Sequence, residues 1–256
     1  MAIETRQTLI HLIHTALSGQ PFVYAAWLEG ADAAGRADDY SDIDLWADVE
    51  PGFETQIFAD IKAALLGVGP LDVAQDARHP HPQLEQRFYR LADTSPFWFV
   101  DVCLQQHGRE TVFGPRDPFL ILFDRSGVIR TAETQLDRAE IERAVQALKD
   151  AWWRRVLVLK EVNRGRLLEA LRYYHTEVLD PLTELFRLQY CPAKRGYGLK
   201  HSYTDLPREA MEGLEALYRV VTLDTLPGAV EQADLLFRTG LEAFDSTNPP
   251  HPGRVQ

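Results

Sequence analysis

The spacing of apolar residues changes partway along the chain, and that change divides it into two kinds of structure. Up to the turn Asp124-Arg125-Ser126-Gly127 the apolar residues come in short runs; beyond it they recur every three or four positions. The continuous apolar run Phe22 to Leu28 suits a buried strand, and a second strand is predicted over about Ile43 to Val49. Leu9, Ile10, Ile13, Ala16 and Leu17 mark a helix stopped at Gly19. Phe53, Ile57, Phe58, Ile61, Ala64 and Leu65 mark another, ended by Gly67-Val68-Gly69-Pro70. Further strands are predicted at Leu71 to Val73, Gln86 to Leu91, Phe97 to Leu104 and Phe119 to Phe123. The turn Asp93-Thr94-Ser95-Pro96 makes a hairpin of the second and third of these.

The later half reads as helix throughout. Ile141, Val145, Leu148, Trp152 and Val156 predict one long helix. Leu167, Leu171, Tyr174, Val178 and Leu182 predict a second, kinked at Pro181. Met211, Leu214, Leu217 and Val221 follow Pro207, and Val230, Ala233, Phe237 and Leu241 follow Pro227, so two more helices begin at prolines. Residues 247–256, with Pro249, Pro250 and Pro252, read as a mobile tail. The chain is thus an α/β half followed by a helical half.

Composition narrows the function. The chain's 256 residues, 45% of them hydrophobic, can bury one large core or two ordinary ones. No apolar run approaches the roughly 18 residues of a membrane span, and the N-terminus lacks a signal-peptide pattern, so a cytoplasmic location is expected. The net charge of −11 disfavours a general nucleic-acid binder and suits a small cationic ligand. Two cysteines, Cys103 and Cys191, make neither a disulfide framework nor a thiolate zinc site. His79-Pro80-His81-Pro82 reads as an exposed linker, and no Walker loop, dinucleotide fingerprint or Gly-x-Ser-x-Gly elbow occurs.

The chemistry concentrates in residues 30–45, GADAAGRADDYSDIDL. In a strand, residues two apart share a face, so Asp42 and Asp44 are expected to project together while Ile43 and Leu45 enter the core. Two carboxylates on one face repel, a cost relieved by a divalent cation between them, and hard oxygen ligands select Mg²⁺. Asp101, inside the apolar run FWFVDVCL (97–104), is the best third ligand, because a carboxylate in a strand needs a metal or a donor. Two ions about 4 Å apart would stabilise the attacking and leaving oxygens of an in-line displacement.

Gly30, Ala33, Gly35, Ser41, Asp42, Asp44 and Leu45 resemble the signature of the DNA polymerase β-like nucleotidyltransferases. Within that superfamily the chain is similar to small antibiotic adenylyltransferases of the streptomycin and lincosamide type. Lys160, Arg164 and Leu168 in WWRRVLVLKEVNRGRLLEAL (152–171), and Gly198, Lys200, Tyr203 and Leu206 in GYGLKHSYTDLP (196–207), carry the later similarity.

The resemblance implies an α+β chain: a mixed-sheet nucleotidyltransferase domain over 1–130, then a helical domain over 131–246 that closes on substrate. It implies metal-dependent transfer of AMP from ATP to a hydroxyl of a small polar acceptor such as an aminoglycoside. Asp42, Asp44 and Asp101 would be the catalytic and metal-binding set, Asp101 also the general base. Gly30, Ala31, Ser41, Lys160 and Lys200 would bind nucleotide. Ala31 stands where the family has a serine that contacts phosphate, and the lost hydroxyl weakens nucleotide binding by about tenfold or more. Asp32 adds a negative charge beside the same phosphates. The competing expectation is a degenerate module that binds nucleotide or a partner without turnover. Modification of a protein or RNA end is a third, disfavoured for RNA by the acidity.

Overall fold

A computed structural model describes residues 6–114, 117–133 and 136–247. The chain divides into two units, Met1–Thr134 and Gln135–Gln256.

The first unit runs α1 (Arg6–Ser18), β1 (Val23–Leu28), a short α2 (Gly30–Ala33), β2 (Ile43–Val49), α3 (Glu54–Leu66), β3 (Leu71–Ala77), β4 (Leu84–Leu91), β5 (Val100–Gln106), β6 (Thr111–Phe113), β7 (Leu120–Asp124) and β8 (Ile129–Thr131). The main sheet has the order β3-β4-β5-β2-β1-β7, and β6 and β8 form a separate two-stranded sheet. Only β2 and β5 pair in parallel within the main sheet, so it is mixed, as expected. The expected hairpin is β4 with β5, which pair antiparallel from Leu84 opposite Gln105 to Tyr89 opposite Val100.

Strand alternation gives the sheet two different faces. Ile43, Leu45, Ala47, Val49, Val100, Val102 and Leu104 pack on Leu9, Ile13 and Leu17 of α1 and Ile57, Phe58, Ile61 and Leu65 of α3. The opposite face carries Asp44, Trp46 and Asp48 beside their register partners Asp101, Cys103 and Gln105. Trp27 and Phe113 are buried there, with Trp46 and Phe119 packed against them. The acids therefore lie on the face that the two helices leave uncovered.

The second unit contains α4 (Arg138–Ala151), a 3₁₀ turn (Trp152–Arg155), α5 (Val156–Asn163), α6 (Leu167–Tyr174), a π segment (His175–Leu179), α7 (Asp180–Tyr190), a 3₁₀ turn (Pro192–Lys194), α8 (Ser202–Asp205), α9 (Arg208–Tyr218) and α10 (Leu226–Thr247). Two sequence expectations are corrected, and the irregularity expected at Pro181 takes a particular form. The long helix through Val156 is interrupted by the 3₁₀ turn at Trp152, where the indole ring stacks flat on Phe237 and its N–H reaches Asp234 at 2.7 Å. Pro181 produces a π turn: it lacks an N–H, and the hydrogen bonds widen just before it, the N–H of Asp180 reaching the carbonyl of His175. Val221 lies beyond α9 and is exposed. The expected tail falls outside the described residues after Thr247.

The core of this unit gathers Val158, Tyr174, Leu182, Leu185, Leu214, Ala233 and Phe237. Arg187 of α7 is wholly buried in it. Its guanidinium donates to the carbonyls of Gly198, at 2.6 Å, and Lys200, and to the Asp205 carboxylate at 3.1 Å, which Lys194 also pairs at 2.6 Å. Burial pushes the Asp205 carboxyl up, but Lys194 and Arg187 outweigh it and hold the group below the usual carboxylate range. This contribution is present above the unfolded carboxylate pKa and is lost as pH falls through the lower folded value. Arg187→Met leaves a buried acid half-compensated and two carbonyls without donors, so it should cost about 3 kcal/mol. Urea unfolding at neutral pH measures this loss, and the deficit should shrink in acid.

Candidate active site

Asp44 stands on β2 directly beside Asp101 on β5, the two paired in register across the parallel strands. Each side chain is partly exposed between buried neighbours, Ile43 and Leu45 for Asp44, Val100 and Val102 for Asp101. Glu29, just past β1, joins them on this edge: its N–H donates to the carbonyl of Asp44 at 3.0 Å, and its carboxylate accepts from the Trp27 indole at 2.9 Å.

Gly30 follows with φ +61, and a Cβ there would lie 1.9 Å from Asp44 Oδ2. The glycine is needed for the left-handed turn and because the carboxylate occupies the space a side chain would fill. The close approach of this loop to the strand was expected for phosphate. Here its first effect is to seat Asp44.

Asp42 lies at the entrance to the strand. It precedes β2, which begins at Ile43, so strand alternation does not by itself place it beside Asp44. Its carbonyl accepts from Arg6. Asp101 is held by Gln86 on β4, whose Nε2 donates to both carboxylate oxygens at 2.8 Å. Among the described residues no group of three His, Cys, Asp or Glu is gathered closely enough to hold a metal ion. Asp101 thus meets an amide donor from β4 on one side and Asp44 of β2 on the other.

Gln86→Leu removes both amide hydrogen bonds to Asp101 beside Asp44. It is expected to lower stability by about 1–3 kcal/mol, read from thermal unfolding, and Mg²⁺ should restore part of the loss.

The other sequence candidates are spread more widely. Ala31 sits partly buried in α2. Ser41 closes a local turn: its hydroxyl donates to Asp38 at 2.7 Å, and with the Tyr40 N–H it holds the Asp38 carboxyl below its usual range. Lys160, in the last turn of α5, and Lys200, in the loop pinned by Arg187, are exposed residues of the second unit. His79 and His81 cap local turns through their ring nitrogens in the β3–β4 connection and gather no metal set. Cys103 is no nucleophile: burial and the Asp101 and Glu29 charges push its thiol up to about 12.

Sequence reading missed two positioning side chains, Gln86 and Arg6. Gln86 was detectable only through strand register. Arg6 was hidden because its partners lie 26 to 36 residues away. Arg6 pairs with Asp32 through Nη2–Oδ2 at 2.5 Å and Nε–Oδ1 at 3.2 Å. The charge expected to oppose phosphate is thus already compensated.

The fold and site define an α/β unit with a carboxylate pair on the open face of a mixed sheet, and a helical unit. No protein-family model and no curated protein sequence matches the chain. Among solved structures it is similar to an aminoglycoside 6-adenyltransferase from Bacillus subtilis, at 14% identity and TM-score 0.42, covering 98% of this chain and 94% of that one. It is also similar to a nucleotidyltransferase-like protein from Exiguobacterium sibiricum, at 10% identity and TM-score 0.37, covering 94% and 78%. A spectinomycin adenyltransferase from Enterococcus faecialis matches at 10% identity and TM-score 0.32, covering 94% and 100%. Likenesses this loose leave the functional reading to the chain's own residues.

Proposed function

We propose that the chain is a metal-dependent nucleotidyltransferase, moving a nucleoside monophosphate, AMP from ATP, onto a hydroxyl of a small polar and cationic acceptor. The observation that carries this reading is the pairing of Asp44 with Asp101 above Gly30. Two carboxylates set side by side on the open face of the sheet are what a metal-assisted phosphoryl transfer needs.

Asp42, Asp44 and Asp101 would hold Mg²⁺, for which carboxylate oxygens are fitting ligands, with Asp42 brought in from the strand entrance. The bound ions would neutralise triphosphate charge and the charge developing on pyrophosphate. Asp101, oriented by the Gln86 amide, accepts the proton of the acceptor hydroxyl as its oxygen bonds to the α-phosphorus and the bond to pyrophosphate breaks. Gly30 and Ala31 let the loop backbone approach phosphate, Ser41 braces that loop, and Lys160 and Lys200 supply cations to the leaving group. Residues 1–130 form the catalytic domain and 131–246 the closing domain in this reading. An aminoglycoside-type acceptor suits the net charge of −11, and dependence on ATP suits the cytoplasm. No helix among the described residues is long and apolar enough to cross a membrane.

Pyrophosphate release with ATP, Mg²⁺ and a panel of aminoglycosides and other amino sugars tests the reading. Turnover with one acceptor, absent with none added, is the expected result. Ala31 favours the alternative, a degenerate module: nucleotide and metal binding with no release across the panel would select it.

A further inference from the structure

Asp32 lies two residues past Gly30, where an unpaired carboxylate would oppose any phosphate brought to Asp44. It is not unpaired. Arg6, the first residue of α1, grips it with two nitrogens, and the pair is largely buried, with 13% and 6% of the two side chains exposed. The same guanidinium also donates to the backbone carbonyls of Ser41 and Asp42. One side chain thus ties α1 to the beginning of the 30–42 loop and to its end, where the chain enters β2.

We propose that Arg6 is a positioning residue of the nucleotide loop, cancelling the charge of Asp32 and bracing the backbone that delivers Asp42 to the site. Two roles follow from two kinds of contact. The ion pair sets the local charge: with Arg6 gone, the buried Asp32 is left without compensation and repels triphosphate. The carbonyl bonds set the geometry, because the planar guanidinium spans several acceptors at once in a way an ammonium does not. The first role rests on the nucleotide reading above, whereas the second does not.

Four variants separate the roles: Arg6→Met, Arg6→Lys, Asp32→Asn, and Arg6→Met with Asp32→Asn. Calorimetric titration of α,β-methylene-ATP with Mg²⁺ reads the charge, and hydrogen exchange of the 30–42 amides, against those of β2 and β5 as an internal control, reads the brace. Arg6→Met is expected to weaken the analogue about tenfold or more and to speed exchange in the loop while the control strands keep their protection. Adding Asp32→Asn to Arg6→Met should restore most of the binding but leave exchange fast. Arg6→Lys should keep the binding and lose loop protection, and Asp32→Asn alone should bind at least as well as the parent.

A double variant as weak as Arg6→Met would overturn the charge role, and unchanged loop exchange in Arg6→Met would overturn the brace. If the parent chain binds no analogue, the nucleotide reading and the charge role fail together. Hydrogen exchange still decides the brace.

Discussion

Asp44→Asn is expected to remove turnover by about a thousandfold while the melting temperature holds or rises. The amide keeps the shape of the side chain at the strand position and removes its charge. A pre-placed charged group at a phosphoryl-transfer site acts where water is excluded, and losing one such group costs on the order of 10²–10³ in rate. Stability should move the other way, because Asp44 and Asp101 face each other in register and like charges so placed destabilise a sheet by roughly 0.2–1 kcal/mol. Pyrophosphate release and thermal unfolding of one preparation measure both. A variant that stays active would exclude Asp44 from the chemistry, and one that is inactive but unfolded would say nothing for it.

Gly30→Ala should be the most damaging change outside the carboxylates. The new methyl would meet Asp44 Oδ2 at 1.9 Å and its Cγ at 2.9 Å, so carboxylate or loop must shift. The positive φ adds roughly 1–2 kcal/mol of backbone strain. Displacing a catalytic group by about an ångström costs on the order of a hundredfold in rate, which is the fall in kcat expected here. Gly35→Ala is the matched control. It has a similar φ of +64 but open space around the new methyl, so it should lose stability and keep its rate. Equal losses of rate in both variants would mean that strain, and not contact with Asp44, explains the glycine.

Local pattern made much of this architecture legible in the sequence. Ile43 to Val49 has the bounds of β2, since apolar residues alternating with acids on one face have few other solutions. The hairpin of β4 and β5 followed from its turn residues. The change of period marked where strands give way to helices. What escaped were features set by neighbours distant in sequence. The 3₁₀ turn at Trp152 depends on Phe237 and Asp234, and the short strands β6 and β8 pair only with each other.

The site divides the same way. Gly30, Asp44 and Asp101 could be named from residue type and spacing; Asp44 and Asp101 are register partners, and Gly30 lies against Asp44. Asp42 was paired with Asp44 by counting in twos; it directly precedes β2, which begins at Ile43. Asp32, taken as an obstacle to phosphate, is neutralised by an arginine on another element. Gln86 could not be seen at all, because only strand pairing brings its amide to Asp101.

The central claim is that the Asp44–Asp101 pair receives metal and triphosphate. Anomalous diffraction from crystals grown with Mn²⁺ and α,β-methylene-ATP tests it most directly. The predicted result is a metal peak touching both carboxylates, with Gln86 drawn away from Asp101 and the phosphates over Gly30. A nucleotide bound elsewhere, or metal bound away from this pair at saturating nucleotide, would contradict it.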